Sequence, residues 1–322
     1  MFSALCPVYH GLAVSQRAVL IVNPVAGGLR SLEGVREAAR WLEGQGWQVD
    51  WQATEGPGHA IVLARRAAAA GLAVAVACGG DGTIGEVADG LAHSETALAV
   101  IPGGTADVWA REVRIPRDPL KAARLVVEGE RRRMDLGLAQ GSGLPPEGRH
   151  FLLMAGVGLD ALVVRRVQHD VKRRLGAAAY ILHGAREVLG YRGTGVEVSM
   201  DGHRRSLRLG WMVVGNTRSY GGLVCVTHRA RADDGLLDVL IFSGHGLLKV
   251  VMYGLAILLR RPAWAPGARY ERAAAVEVTG ATVPVQADGE YIGETPMSFR
   301  VVPGALRVVL PAGLRTPLFP RR

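Results

Sequence analysis

The stretch Leu72-Ala-Val-Ala-Val-Ala77-Cys78-Gly79-Gly80-Asp81-Gly82-Thr83 decides how this chain reads. Its opening is a short apolar run with no polar face, which predicts a parallel strand covered on both sides. Glycines end the run, and Thr83 to Leu91 resumes with helical spacing. A strand, a glycine turn and a helix together present backbone N–H groups and a helix N-terminus, which suits a phosphate. Asp81 fits such a site if magnesium or its waters stand between carboxylate and phosphate, because like charges otherwise meet. A glycine turn with Asp81 as helix N-cap accounts for the same residues.

Outward from this core the rhythm repeats. Upstream, Ala18 to Val22 is a buried-strand run that ends at Asn23-Pro24, followed by Gly27-Gly28, a helical Leu32 to Leu42 and an alternating Trp47 to Trp51. His59 to Ala70 has the composition of a helix. Downstream, Ala97 to Ile101 leads into Pro102-Gly-Gly-Thr105, then a helix over Pro119 to Glu128 and a basic run, Arg131-Arg132-Arg133, before Asp135. Strands alternating with helices predict an α/β sheet. Three glycine loops then fall at the carboxyl ends of its strands, where open α/β sheets bind ligands. Thr54, after the second strand, can donate its hydroxyl to a nucleotide or cap a turn.

From Arg149 onward strands dominate: Phe151 to Ala155, Val196 to Met200, Ser206 to Val214, Leu236 to Phe242, Ala274 to Val278 and Leu306 to Leu310. That predicts an antiparallel second domain interrupted by helices over Ala161 to Leu189 and Leu247 to Arg260, with Gly141 to Pro146 as a loop near the boundary. The 322 residues suit two domains, and 49% hydrophobic with 21% charged residues excludes disorder, collagen and disulfide-scaffold classes. The 43 glycines without a repeat indicate tight turns and close backbone approaches.

A formal charge of +9 and a pI near 10.0 predict an anionic partner: nucleotide, nucleic acid or anionic lipid. Cys6, Cys78 and Cys225 show neither metal-ligand spacing nor a disulfide framework, which fits a reducing cytosol. Leu247 to Leu259 contains Lys249 and is too short to span a bilayer. Met1 to Gln16 lacks a basic n-region and reads as a tail and not a signal peptide, so the expected location is cytoplasmic. Neither a P-loop nor the protein-kinase signatures occur.

Gly79-Gly-Asp-Gly-Thr83, together with Asn23-Pro24, Pro102-Gly-Gly-Thr105 and Ala155-Gly-Val-Gly-Leu-Asp160, resembles the diacylglycerol kinase catalytic family, nearest its bacterial soluble lipid kinases. The resemblance continues through Val214-Gly-Asn216, Gly221-Gly222, Asp233-Asp-Gly-Leu-Leu-Asp238 and Asp288-Gly-Glu290 to Thr295-Pro296, roughly residues 18 to 311. It implies a two-domain NAD kinase/diacylglycerol kinase-like fold. A Rossmann-like α/β ATP domain over 17–135 and an antiparallel β-sandwich acceptor domain over 136–311 would be flanked by tails at 1–16 and 312–322.

By matching positions the resemblance implies ATP contacts at Asn23, Thr54, Gly80, Asp81, Gly82, Thr83, Ile84, Gly85, Glu86 and Thr105. It implies a Mg²⁺ loop at Arg231, Asp234 and Leu236, the first and last through main-chain carbonyls, and Glu290 as proton acceptor. The implied activity is ATP-dependent phosphorylation of a lipid alcohol, diacylglycerol foremost, within phospholipid biosynthesis. Phosphoryl transfer needs a bridging metal, positioned donors and a carboxylate near the attacking hydroxyl, so the chemistry agrees. Spacing alone leaves Glu290 and Asp234-Gly235 as turn residues.

The chain departs from the family at Asp107 and Gly85, both often Asn, and at His228, often Pro. Asp107 adds negative charge near the phosphates unless a cation pairs with it, leaving open an altered nucleotide affinity or a silent binding protein; His228 reads as structural. NAD kinase shares the Gly-Gly-Asp-Gly-Thr loop, while Asp233 to Asp238 and Asp288 to Glu290 favour a lipid kinase, and the retained Asp81, Asp234 and Glu290 argue against silence. Nucleic acid is not an expected partner, because no binding motif accompanies the scattered basic residues. A lipid acceptor requires transient docking on an anionic membrane, for which Arg165-Arg166, Lys172-Arg173-Arg174, Arg260-Arg261 and the apolar Leu247 to Leu259 are candidates. An ordinary helix with a solvated face is the alternative for that last segment. Homo-oligomerisation stays open.

Overall fold

The computed structural model of the chain describes residues 16–27, 32–170, 193–220, 224–244, 247–259 and 264–320. Gly28, Lys172 to Arg174, Gly221-Gly222, Arg260-Arg261 and the second part of the helix expected to reach Leu189 lie outside them. The N-terminal half contains β1 (Arg17–Val22), α1 (Leu32–Gly44), β2 (Gln48–Ala53), α2 (His59–Ala69), β3 (Val74–Gly79), α3 (Asp81–Leu91), β4 (Ala97–Pro102), a short α4 (Val108–Glu112) and α5 (Pro119–Glu128). Every residue of β3 and of β4 is buried, as their continuous apolar composition requires when helices cover both faces. The strands run parallel in the order β2-β1-β3-β4. From β1 the connections run first to one side and then to the other, so the switch point lies between the carboxyl ends of β1 and β3.

The second half contains β5 (Glu130–Gly141), β6 (Arg149–Phe151), β7 (Met154–Gly158), α6 (Leu159–Asp170), β8 (Thr194–Met200), β9 (His203–Gly215), β10 (Ser219–Tyr220), β11 (Val224–Cys225) and β12 (Leu237–Ser243). It continues with α7 (Leu247–Leu258), β13 (Ala268–Ala273), β14 (Ala275–Gly280), β15 (Pro284–Ala287), β16 (Glu290–Glu294) and β17 (Met297–Leu310). Its pairings are antiparallel, and alternation sets the inward face: Val196, Val198 and Met200 of β8 are buried with Met212, Val239, Val276 and Phe299 in a core of their own. The fold is a mixed α/β half joined to a β-sandwich half.

β17 ties the halves together. Its first part pairs with β14, and its last part lies parallel to β4, with Arg307 opposite Ala97 and Val308 opposite Leu98. β5 runs antiparallel along almost all of β17. The division expected at 135/136 therefore falls inside a strand, and the basic run Arg131 to Arg133 belongs to the part of β5 beside Val309 to Arg307.

Two expectations need correction. The stretch Phe151 to Ala155 is not one strand: β6 and β7 are separated because the amides of Leu152, Leu153 and Met154 all donate to the Asp288 carboxylate. Residues 312–320 are not a trailing tail, since Leu314, Leu318 and Phe319 are buried and the Leu318 carbonyl accepts from the Ala232 amide. Apolar side chains beyond the last strand hold that segment against the core.

Candidate active site

The carboxyl ends of β1 and β3 meet where Asn23 N donates to the Cys78 carbonyl at 2.9 Å. Asn23 Nδ2 then donates to Thr83 Oγ1 at 3.1 Å, while its Oδ1 receives the Val25 amide at 3.1 Å. The first loop is thereby fastened to the first turn of α3. The other two glycine loops touch backbone to backbone: a Cβ on Gly104 would stand 2.7 Å from Gly80 Cα. Any side chain there would push the loops apart, which explains glycine at both positions.

Glu86 is 6% exposed and turns away from α3 to receive the amides of Gly58 at 2.7 Å and Ala60 at 3.1 Å. It places a negative charge on the open N-terminus of α2. These contacts enclose a cavity of about 330 Å³ lined by Asn23, Thr54, Gly82, Thr83, Glu86 and Glu290, among others. Its size suits a small-molecule ligand.

The remaining expected nucleotide contacts do not line that cavity. Gly80 forms the glycine junction, and Ile84 is fully buried in the core. Gly85 backs onto Asp288, whose Oδ2 would be 3.2 Å from a Cβ there, so the departure from Asn leaves room for that carboxylate. Thr105 is exposed, and its carbonyl accepts from Arg111 at 3.3 Å. Asp81 is not the N-cap of its own helix: the cap position is Gly80, and Asp81 receives the amides of Val108 at 3.0 Å and Trp109 at 3.2 Å, closing α4 instead. Burial pushes its carboxyl above the usual range against the pull of those amides. The extra charge of Asp107 is answered on the spot, since Oδ2 pairs with Arg117 at 2.9 Å and Oδ1 accepts from Gly104 N at 2.7 Å.

The β-sandwich half contributes the turn between β15 and β16. Asp288 takes the three amides of residues 152–154 at 2.7 to 3.0 Å, and burial holds its carboxyl up at about 6. Gly289 N donates to Gln286 Oε1 at 2.8 Å, and the Gln286 amide nitrogen reaches Asp160 Oδ2 at 3.0 Å. Asp160 also receives the Tyr220 hydroxyl at 3.3 Å, and burial raises its carboxyl to about 6.

With the turn fixed on both sides, Glu290 leans back over α3. Its Oε1 would lie 3.6 Å from a Cβ on Gly82, and its Oε2 is bound by Arg149 Nη2 at 2.7 Å. Arg149 Nε lies 3.8 Å from Asp89, a buried carboxylate of α3 held by the His150 amide at 3.1 Å and by His150 Nδ1 at 2.7 Å. Sequence reading missed Arg149, Asp89 and the anchoring role of Asp288. Only the run Gly148-Arg-His150 before the strand hinted at charge there.

Arg231, Asp234 and Leu236 stand elsewhere, on the loop before β12, and do not line the cavity. Asp234 is ion-paired with Arg272, and its Oδ1 receives the Leu236 amide at 3.3 Å. Asp238 shares Arg272 at 3.3 Å and accepts the Tyr270 hydroxyl at 2.7 Å. Asp135 receives the amides of Gly235 and Gly304, each at 2.7 Å. Burial raises the carboxyls of Asp135 and Asp238, and repulsion from Asp234 adds to the rise. Among the described residues no group of three His, Cys, Asp or Glu side chains stands ready for a metal. One carboxylate with two carbonyls is nevertheless a hard-oxygen donor set of the kind magnesium takes, completed by water. The His228 ring packs at a tilt against that of Tyr270, with ring centres 4.8 Å apart.

The comparisons fit this geometry. Residues 17–139 match the family model described as the diacylglycerol kinase catalytic domain, and residues 154–310 match the YegS C-terminal NAD kinase beta sandwich-like domain. A Pseudomonas aeruginosa protein named "Probable lipid kinase YegS-like" is 37% identical, with 86% of this chain and 87% of that one covered. A Bacillus subtilis protein named "Diacylglycerol kinase" is 31% identical, with 92% and 97% covered. A crystal structure of a diacylglycerol kinase from Bacillus anthracis aligns with a TM-score of 0.69 over 93% of this chain and 98% of that one; at 20% identity this is a likeness of fold. The chain belongs to the diacylglycerol kinase family of lipid kinases. No helix among the described residues is long and apolar enough to cross a membrane.

Proposed function

We propose that this chain transfers the γ-phosphoryl group of ATP to a lipid hydroxyl, with diacylglycerol as acceptor and phosphatidic acid as product. The observation that carries the reading is Glu290. A carboxylate from the sandwich half shares one cavity with the first turn of α3, and one of its oxygens is already held by Arg149. Gly82 and Thr83 offer the N-terminus of α3 to the phosphates, and Asn23 and Thr54 border the same space. Glu290 Oε1 is the oxygen not taken by Arg149, and in this reading it accepts the acceptor's proton. The acceptor oxygen bonds to the γ-phosphorus, the bond to the β–γ bridging oxygen breaks, and ADP leaves. Asp81 and Glu86 support the cradle by closing two helix N-termini, and Thr105 belongs to the neighbouring loop.

Magnesium would supply positive charge against the charge that develops on the transferring phosphoryl group. In this proposal Asp234 and the main-chain carbonyls of Arg231 and Leu236 would hold a cation on the loop before β12, outside the cavity, in competition with Arg272 for Asp234. Because the acceptor is a lipid, the enzyme works at a membrane surface from the cytoplasmic side.

The deciding measurement is label transfer from γ-labelled ATP and Mg²⁺ to diacylglycerol, sphingosine, ceramide, phosphatidylglycerol and NAD, with Glu290→Gln as control. Label in diacylglycerol that is lost in the control supports the proposal. Label in another lipid replaces the acceptor, and label in NAD overturns the lipid reading.

A further inference from the structure

α7 has an inner face that is well accounted for. Tyr253 and Ala256 are 6% and 8% exposed, and the Tyr253 hydroxyl donates to the Ser243 carbonyl at 2.7 Å while its ring packs on Phe242. Lys249 is also turned inward, 3.4 Å from the Ser243 carbonyl. The outer face has no such account. Val251, Leu255 and the following Leu259 are spaced four apart, so they form one ridge, and they are 55%, 54% and 61% exposed. An ordinary solvated helix face carries charges at such positions. A ridge of branched apolar side chains in water marks an interaction surface.

The charge around the ridge selects the partner. Between Asp238 and Glu271 the chain contains no Asp or Glu, while it contains Arg260, Arg261 and Arg269 besides the inward Lys249. At the root of the helix, the Arg208 carbonyl receives the Gly244 amide, and Arg269 lies opposite Ile241 across the β12–β13 pair. Arg208 and Arg269 are both exposed, and neither has a carboxylate partner among the described residues. A second copy of this chain docked ridge to ridge would bring like charge against like charge. A bilayer with anionic headgroups answers both features, taking the ridge into its apolar boundary and the arginines at its surface.

We infer that α7 is the docking element of this enzyme, inserting Val251, Leu255 and Leu259 into the interface of an anionic bilayer. The choice of a bilayer rests on the proposed lipid acceptor. The test is flotation of the full chain, without ATP, on vesicles of phosphatidylcholine alone and of equal parts phosphatidylcholine and phosphatidylglycerol. The chain is expected to bind the anionic vesicles more tightly, with binding that weakens as salt rises. Replacing all three ridge residues by Ser should reduce that binding by roughly tenfold or more. Arg208→Ala with Arg269→Ala should reduce only the preference for anionic vesicles, by about fivefold for each charge that reaches the surface.

Failure of the wild-type chain to bind either vesicle, or equal binding by the triple-Ser variant, overturns the inference. So does sedimentation showing a wild-type dimer that the triple-Ser variant splits while vesicle binding is unchanged. Turnover on a short-chain diacylglycerol dispersed without vesicles is expected to be equal in wild type and variant. Its absence in the wild type counts against the kinase reading alone, because flotation needs no catalysis.

Discussion

The turn at 286–290 and the loop at 231–238 both carry carboxylates, and the fold treats them differently. In the turn the work is divided: Asp288 sinks into three backbone amides, which leaves Glu290 fixed in place with a single arginine contact at the edge of a cavity. In the loop it is shared, because Asp234 and Asp238 both depend on Arg272 while Asp135 holds the loop backbone. A carboxylate's role follows from what already neutralises it. Amides bury an acid as structure, and a lone arginine at a cavity edge leaves an oxygen for chemistry.

The largest effect expected is at Glu290. Glu290→Gln should lower kcat by about 10²- to 10⁴-fold with the unfolding temperature unchanged, measured by label transfer and calorimetry. Normal turnover would remove the division of labour in the turn. Asp288→Ala should act in the opposite way, destabilising the chain by about 3 kcal/mol because three amide donors lose their acceptor. An unaltered denaturant midpoint would show that those bonds are dispensable.

Arg149→Met should lower kcat by about tenfold to a hundredfold with little change in KM for ATP, and Arg149→Lys should restore part of the loss. A change confined to KM would place Arg149 on the nucleotide instead. For the loop, Arg272→Met should release Asp234 and reduce the Mg²⁺ concentration needed for half-maximal turnover by about threefold. A higher requirement would mean that Arg272 organises the loop rather than competing within it.

The smallest effect concerns pH. Burial lifts the carboxyls of Asp160 and Asp288 to about 6, above their unfolded value of 3.8. Between those values the folded chain retains protons that the unfolded chain has released, so stability should fall as pH rises from about 4 to 6. Urea midpoints across that window should show the decline, and Asp160→Asn should flatten it. An equal slope in the variant would show that Asp160 does not titrate there.

Much of the N-terminal half was legible because its signals are local. The runs at Ala18 to Val22, Leu72 to Ala77 and Ala97 to Ile101 became β1, β3 and β4 within a residue or two, and their shared parallel sheet brought the glycine loops to one edge. The second half was read less well. The sequence shows only a basic run, Arg131 to Arg133, where β5 lies, since its buried part, Met134 to Ala139, gains its meaning only from β17 alongside. The helical period of α7 was visible in the sequence, but its outward face was not, because Val251 and Tyr253 are both apolar enough for either side.

The sequence by itself determined which segments become strands and helices, where glycine lets two loops touch, and where acids concentrate. Those properties depend on neighbours within a turn or a strand pair. Only the tertiary structure decided what each acid does. Glu86 and Asp81 close the N-termini of other helices, Asp288 divides a strand formed more than a hundred residues earlier in the chain, and Glu290 meets an arginine 141 positions away. A carboxylate's partner is whichever amide or guanidinium the completed fold delivers to it, and no local pattern encodes that arrival.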